Sequence, residues 1–260
     1  MQCNKKERSL ETIGPAPPIS QPPARVGPKP WGLPAILLAL ALPTLLWASS
    51  LVIASITGTE DDLTSGEIVA SLIVTIVLLD GGFIALAAGF SVWKYHLSWR
   101  ELGLHGFNVD QWWLPLAAAG GAYVGIIAYS VLLTVVGADA AVPEQEELDQ
   151  LFESRAVLPL TGLATVIMAP LAEEIFFRGF IFAGLIRPFG LLGALVASGF
   201  LFGAFHVTSI DTVGLVLPFA AIGMLFAWLY YRTGSLLPSM TAHLLFNLVS
   251  FIALAAVTSS

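Results

Sequence analysis

The chain has 260 residues, of which 57% are hydrophobic and 11% charged, and a mean hydropathy of +0.84. Soluble domains carry about 25% charged residues, so these figures exclude an ordinary soluble domain and exclude disorder over most of the chain. The single cysteine, Cys3, rules out an internal disulfide framework, and a net charge of −7 argues against a nucleic-acid partner. What remains is an integral membrane protein.

Residues 1–30 hold seven of the 16 prolines together with Lys5, Lys6, Arg8, Arg25 and Lys29. Proline at that density prevents helix, so this stretch is predicted to be a disordered cytoplasmic tail. Residues 31–260 form the membrane domain. A bilayer core of about 30 Å needs about 20 apolar residues in a helix. Seven stretches meet that need: 33–56, 68–92, 112–136, 157–187, 190–209, 211–231 and 235–257. None alternates with the period of two that barrel strands require. The fold class is therefore all-α, a polytopic transmembrane helix bundle of about seven spans, or eight helices with an interfacial segment counted.

The connecting segments sort by sign. Those after spans 1 and 3 are acidic, with Glu60, Asp61, Asp62 and Glu67, then Asp139, Glu144, Glu146, Glu147, Asp149 and Glu153. Those after spans 2, 4 and 6 carry Lys94 and Arg100, Arg187 and Arg232. Basic loops stay cytoplasmic, which predicts a cytoplasmic N-terminus and an external C-terminus in a cell membrane, bacterial by the compactness of the chain. Trp93, Trp99, Trp112, Trp113, Tyr230 and Tyr231 sit at span ends, where interfacial aromatics belong. Two further stretches, 98–104 and the amphipathic 144–155, read as interfacial segments.

Ionisable side chains inside a span are costly, so each is a functional candidate. Span 4 contains Glu173, Glu174 and Arg178, span 5 has His206, span 7 has His243 and Asn247, and span 2 has Asp80. Glu174 and Arg178 are four residues apart and can pair. Glu173 is turned about 100° away, so one arginine cannot easily neutralise both acids. A bland reading makes Glu174 and Arg178 a packing salt bridge, and it leaves Glu173 unexplained: an extra buried carboxylate costs several kcal/mol unless protonated or solvated. An acid in a wet intramembrane cavity is what a general base requires. His206 follows Phe202 by four positions and alone reads as a packing residue. His243 and Asn247 share a face, either as an interhelical hydrogen-bond pair or as two donors for an oxyanion. Asp80 has no local companion and reads as a partner for a neighbouring helix.

Taken together the pattern is Glu173-Glu174-x3-Arg178, then Phe202-x3-His206, then His243-x3-Asn247. It resembles the CPBP (Abi) family of intramembrane proteases, which includes the type II CAAX prenyl endopeptidases. The motifs EExxxR, FxxxH and HxxxN occur in order on three apolar spans, and the resemblance covers a core of about residues 98–257. It implies an intramembrane endopeptidase acting on a peptide or protein substrate, membrane-embedded or lipidated, within the lipid bilayer. By that resemblance Glu173 is the general base, His206 helps it activate water, and His243 and Asn247 hold the oxyanion. Glu174, Arg178 and Phe202 support them.

No cofactor is expected. Zinc held by Glu173, His206 and His243 is the alternative, against which stand the missing HExxH motif, the lack of a nearby cysteine and the poor ligand quality of Asn247. Two other classes of function stay open: a catalytically silent membrane scaffold or regulator on the same fold, and a proton-coupled transporter using the acids and His206 as a relay. One geometric expectation follows as well. His206 falls about 24 Å along span 5 from residue 190, toward the outer end. To meet Glu173, span 5 must start deeper, tilt, or break near Gly199 or Gly203, and Pro170 should kink span 4 just before the acids.

Overall fold

The computed structural model describes residues 26–57, 65–137, 157–207 and 211–258. The predicted tail up to residue 25 and the amphipathic stretch 144–155 lie outside the described residues. All regular structure among the described residues is helical. The helices are α1 (Leu33–Thr57), α2 (65–93), α3 (Trp113–Val136), α4 (158–189), α5 (191–204), α6 (Val216–Thr233) and α7 (Leu236–Thr258). Short 3₁₀ turns at Val109–Gln111 and Asp211–Leu215 lead into α3 and α6.

Five helical stretches are long and apolar enough to cross a bilayer: Leu72–Trp93, Val109–Val136, Leu158–Ala204, Thr212–Thr233 and Leu236–Ala256. The first helix contributes a shorter apolar run, Leu33–Leu45. The protein is an integral membrane protein built as a helical bundle. Its surface is inverted relative to a soluble domain, with Leu37, Leu38 and Leu42 of α1 and Val124, Ile127, Val131 and Val135 of α3 exposed. Lipid is as apolar as these side chains, so burying them gains little.

The stretch Leu158–Ala204 is two helices, not one. Gly190 breaks it with φ 66° and ψ −179°, a conformation closed to residues with a Cβ, and Pro188 stands just before it. The chain folds back there, so that Ser198 Oγ on α5 donates to the Phe177 carbonyl on α4. α5 then ends at Ala204, which makes it about 21 Å long by helical rise. Span 5 was drawn too long because Phe205 and Val207 continue the apolar pattern after the helix has stopped. Gly199 and Gly203 do not break it. They let α5 lie against α6: a Cβ on Gly199 would come within 2.7 Å of the Ala220 carbonyl, and one on Gly203 within 2.9 Å of the Ala220 nitrogen.

The fourth helix also departs from regular geometry. It runs through π-type turns at Leu163–Met168 and Glu174–Phe182, on either side of Ala169–Glu173 with its Pro170. Pro170 offers no N–H. The wider turns absorb that loss, and the backbone stays helical at Met168 and Glu174. An i→i+5 turn disturbs the regular ladder, and one carbonyl of the second π segment finds an outside donor: Trp31 Nε1 donates to Phe180 O at 3.0 Å. Trp31 is fully buried and stacks on Phe180 with ring centroids 5.3 Å apart. The segment before α1 is thus strapped to the lower part of α4. Lys29 donates to the Glu101 carbonyl in the same strap; burial lowers its pKa from the ordinary lysine value, and the Glu101 charge partly offsets that.

Residues 98–104 form a tight turn rather than a helix. Ser98 N and Oγ both donate to Glu101 Oε2 at 2.8 Å, a reciprocal arrangement of the capping-box kind. The turn docks on the α6–α7 corner: Tyr230 donates to the Leu102 carbonyl at 3.0 Å, and Leu236 N donates to the Gly103 carbonyl at 2.8 Å. Tyr230 is therefore a core residue and not an interfacial aromatic, because its hydroxyl has a backbone acceptor inside the protein. Trp93, Trp99, Trp112 and Trp113 are exposed, as interfacial residues should be. Between α2, α4 and α5 the core is aromatic. Phe83 stacks on Phe176 at 4.5 Å and meets Phe177 edge-on at 5.6 Å, and Phe177 meets Phe202 edge-on at 5.3 Å.

Candidate active site

Glu174 and Arg178 sit in the second π segment of α4, and both are completely buried. Arg178 Nη1 lies 3.0 Å from Glu174 Oε1. The guanidinium is also held by rings, with its central carbon 4.2 Å from the Phe202 centroid and 5.5 Å from that of Phe226. Aromatic faces attract a desolvated cation, so Phe202 of the FxxxH pattern acts as a platform for the arginine of the EExxxR pattern.

His243 comes from α7 and reaches between the two acids. Its Nδ1 donates to Glu174 Oε1 at 3.0 Å. Its Nε2 faces Glu173 Oε2 at 3.9 Å. That separation is too long for a direct hydrogen bond. The hydrogen bond at Nδ1 fixes the orientation and the tautomer of the ring. A chain Arg178–Glu174–His243–Glu173 results, in which Glu174 is the neutralised acid and Glu173 the free one. Glu173 keeps 17% of its side-chain surface exposed, whereas Glu174 keeps none. The Oε2 atoms of both acids are buried without a hydrogen-bond partner, so the difference between them lies at Glu174 Oε1, which meets both Arg178 and His243.

His206 lies just past the end of α5. Its Nδ1 bonds to the Phe202 carbonyl at 2.8 Å, and its ring stacks on Phe219 at 4.2 Å and lies 4.5 Å from Phe202. Phe202 also lies 5.8 Å from His243, so one phenyl ring packs against both imidazoles. The depth problem posed by the sequence disappears in this hairpin. Glu173 and His206 stand almost equally far from the Gly190 break along its two arms, about 25 Å by helical rise. Antiparallel packing then sets them at one level.

Asn247 is placed differently. Its Nδ2 donates to the Thr165 carbonyl at 2.8 Å, two turns before Glu173 on α4. Thr165 belongs to the first π segment, so this amide also meets a carbonyl in a widened part of the helix. An amide nitrogen has two protons, which leaves one for another acceptor. Sequence reasoning missed the Trp31 strap altogether, since a tryptophan after a proline-rich stretch gives no hint of a partner 149 residues away.

Among the described residues no three of His, Cys, Asp and Glu converge as a metal site. Nδ1 of His243 is engaged by Glu174 and Nδ1 of His206 by a backbone carbonyl, so each ring keeps Nε2 for another partner. As arranged, these residues do not bring three donors to one point, and no step below runs through a metal. An apolar groove of about 270 Å³ opens between α3 and α6, lined by Gly121, Gly125, Tyr129, Pro218 and Leu225 among others; none of the site's side chains lines it.

Fold and site together define a helical membrane protein with a buried acid–imidazole cluster. The family described as "Type II CAAX prenyl endopeptidase Rce1-like" matches residues 155–249, which contain all three motifs. The resemblance drawn from the motifs is shown over that segment. A Bacillus subtilis (strain 168) protein named "Putative membrane peptidase YdiL" is 33% identical over 104 residues, which is 40% of this chain and 41% of the relative. The chain thus matches about two fifths of the length of that curated relative. No solved structure matches the chain.

Proposed function

We propose that the protein is an intramembrane endopeptidase that hydrolyses peptide bonds of membrane-associated or lipidated substrates with a water activated by Glu173. The observation that carries this reading is the unequal treatment of two adjacent acids. Glu174 Oε1 is held by both Arg178 and His243 at 3.0 Å, whereas Glu173 makes no contact with Arg178 that close and stands 3.9 Å from His243, beyond hydrogen-bond reach. A packing salt bridge has no use for the second acid. A general base needs one that is partly desolvated and still reaches water.

In this mechanism a water rests against Glu173, with His206 assisting from the α5 side. Glu173 takes a proton as the oxygen attacks the scissile carbonyl carbon. The developing oxyanion is held by His243, through Nε2 once that nitrogen carries a proton, and by the second N–H of Asn247. Collapse breaks the C–N bond as Glu173 passes its proton to the leaving nitrogen, giving a carboxylic acid and an amine; transfer of the second water proton between them leaves a carboxylate and an ammonium group. Glu174 and Arg178 act through position: they fix the His243 ring and hold the π segment that carries both acids. The family name and the relative's name support this reaction class, and prenylated C-terminal peptides follow as the first substrates to try.

The test has two arms. The first is a fluorescence-quenched peptide ending in a farnesylated Cys-aliphatic-aliphatic-X sequence. The second is a mass-spectrometric comparison of membrane peptides from cells carrying the wild type or Glu173→Gln. The wild type is expected to cleave, while Glu173→Gln, His206→Ala and His243→Ala lose at least 100-fold in rate, the scale of general acid–base catalysis. Wild-type turnover by Glu173→Gln would remove Glu173 from the role of base. Turnover is expected to survive a strong chelator; loss on chelation and return with zinc would reverse the preference for a metal-free mechanism.

A further inference from the structure

Asp80 belongs to none of the three motifs and lies outside the segment matched by the family. The structure nonetheless brings it to the acids. α2 and α4 run parallel, as the ring pairs Phe83–Phe176 and Phe90–Phe180 show. Stepping back three residues from the tightest pair, Phe83 and Phe176, puts Asp80 level with Glu173. The segments Thr75–Asp80 and Ala169–Glu173 are in contact, and the Asp80 and Glu173 carboxylates are close enough to interact electrostatically.

Asp80 is only 3% exposed, and among the described residues its carboxylate has neither a hydrogen-bond donor nor a cation. Around the site stand three acids (Asp80, Glu173 and Glu174), the one described buried arginine, Arg178, and the two histidines, His206 and His243. Glu174 takes Arg178. Two acids from two different helices therefore lie close together, and Arg178, although its charge reaches Glu173, is ion-paired to neither. An apolar interior tolerates such a pair only when a proton or water lies between them. Glu173 Oε2, buried and unpartnered, is the atom that such a water would satisfy.

We propose that Asp80 is a positioning residue for Glu173, a second acid supplied by α2 that holds a water against the Glu173 carboxylate and so fixes its orientation. The proposal rests on the peptidase reading and adds to it a helix outside the motif-bearing three. A polar side chain that served only packing would be replaced without effect by an isosteric amide. A carboxylate that accepts from a shared water would not.

The experiment measures kcat and KM on the farnesylated quenched peptide in detergent micelles, with melting temperature as the check on folding. Variants are Asp80→Asn, Asp80→Leu, Asp80→Glu and Glu173→Gln. Asp80→Asn and Asp80→Leu are expected to lower kcat at least tenfold with KM and melting temperature unchanged, and Asp80→Glu to restore much of the loss. Wild-type kcat in both Asp80→Asn and Asp80→Leu, with Glu173→Gln inactive, would overturn the assignment of Asp80 alone. No turnover of the peptide by the wild type, with no peptide differing between wild-type and Glu173→Gln membranes, would overturn the peptidase reading and this assignment with it.

Discussion

At the scale of single residues, two neighbouring glutamates with the same chemistry are predicted to fail in different ways. Glu174 is fully buried and compensates a fully buried arginine. Glu174→Gln leaves Arg178 as an unpaired charge and lets go of the His243 ring, so it should cost about 3–5 kcal/mol of stability. Glu173→Gln removes an acid that forms no direct ion pair with Arg178 and stands 3.9 Å from His243, so it should leave the melting temperature near that of the wild type while abolishing turnover. Thermal unfolding of both variants in detergent, read by intrinsic fluorescence, separates the two. A large loss of stability in Glu173→Gln would mean that both acids are structural. This division was readable in the sequence, because the four-residue spacing pairs Glu174 with Arg178 and turns Glu173 away. The role of Phe202 as a platform under Arg178 was not, since a phenylalanine in an apolar helix carries no sign of which cation it will meet.

At the scale of helices, the site depends on a hairpin whose arms must stay close. The turn at Gly190 was visible in Arg187-Pro188-Phe189-Gly190, which combines a basic residue, a helix breaker and a glycine. The end of α5 was hidden, because the apolar pattern runs on through Phe205 and Val207. The glycines expected to break α5 serve instead as contact points with α6. A methyl group on Gly203 would press on the Val216 carbonyl and on the Ala220 nitrogen and Cβ, which are backbone or rigid atoms. Gly203→Ala should therefore push α5 away from α6 at a cost of about 1–3 kcal/mol. His206 lies three residues further on, so turnover should fall more steeply than stability. Gly120→Ala on α3 is the control: its Cβ would meet nothing within 4 Å. Equal activity in the two variants would show that the approach of α5 to α6 does not place His206.

At the scale of the whole molecule, loop charge and tertiary contacts can be checked against each other. Lys94 ends α2, and Arg100 follows in the turn that docks on the α6–α7 corner beside Arg232. Lys29 and Trp31 bind that turn and the lower part of α4, near Arg187. The basic segments therefore share one end of the bundle, although they are far apart in sequence. α1 starts from that end, and so does α7, which runs away from it. The N-terminal strap and the end of α7 must then lie on opposite faces, whatever the number of full crossings. By the excess of basic residues, the strap is expected on the cytoplasmic side. Cys3 is the only cysteine, so labelling can read this directly. In intact cells a membrane-impermeant maleimide should leave Cys3 untouched and should label Ser260→Cys in a Cys3→Ser background. The reverse pattern would turn the bundle over and place its basic end outside. Labelling at both positions from outside would contradict the opposed ends themselves, and with them the packing of α7 that carries His243 to the two glutamates.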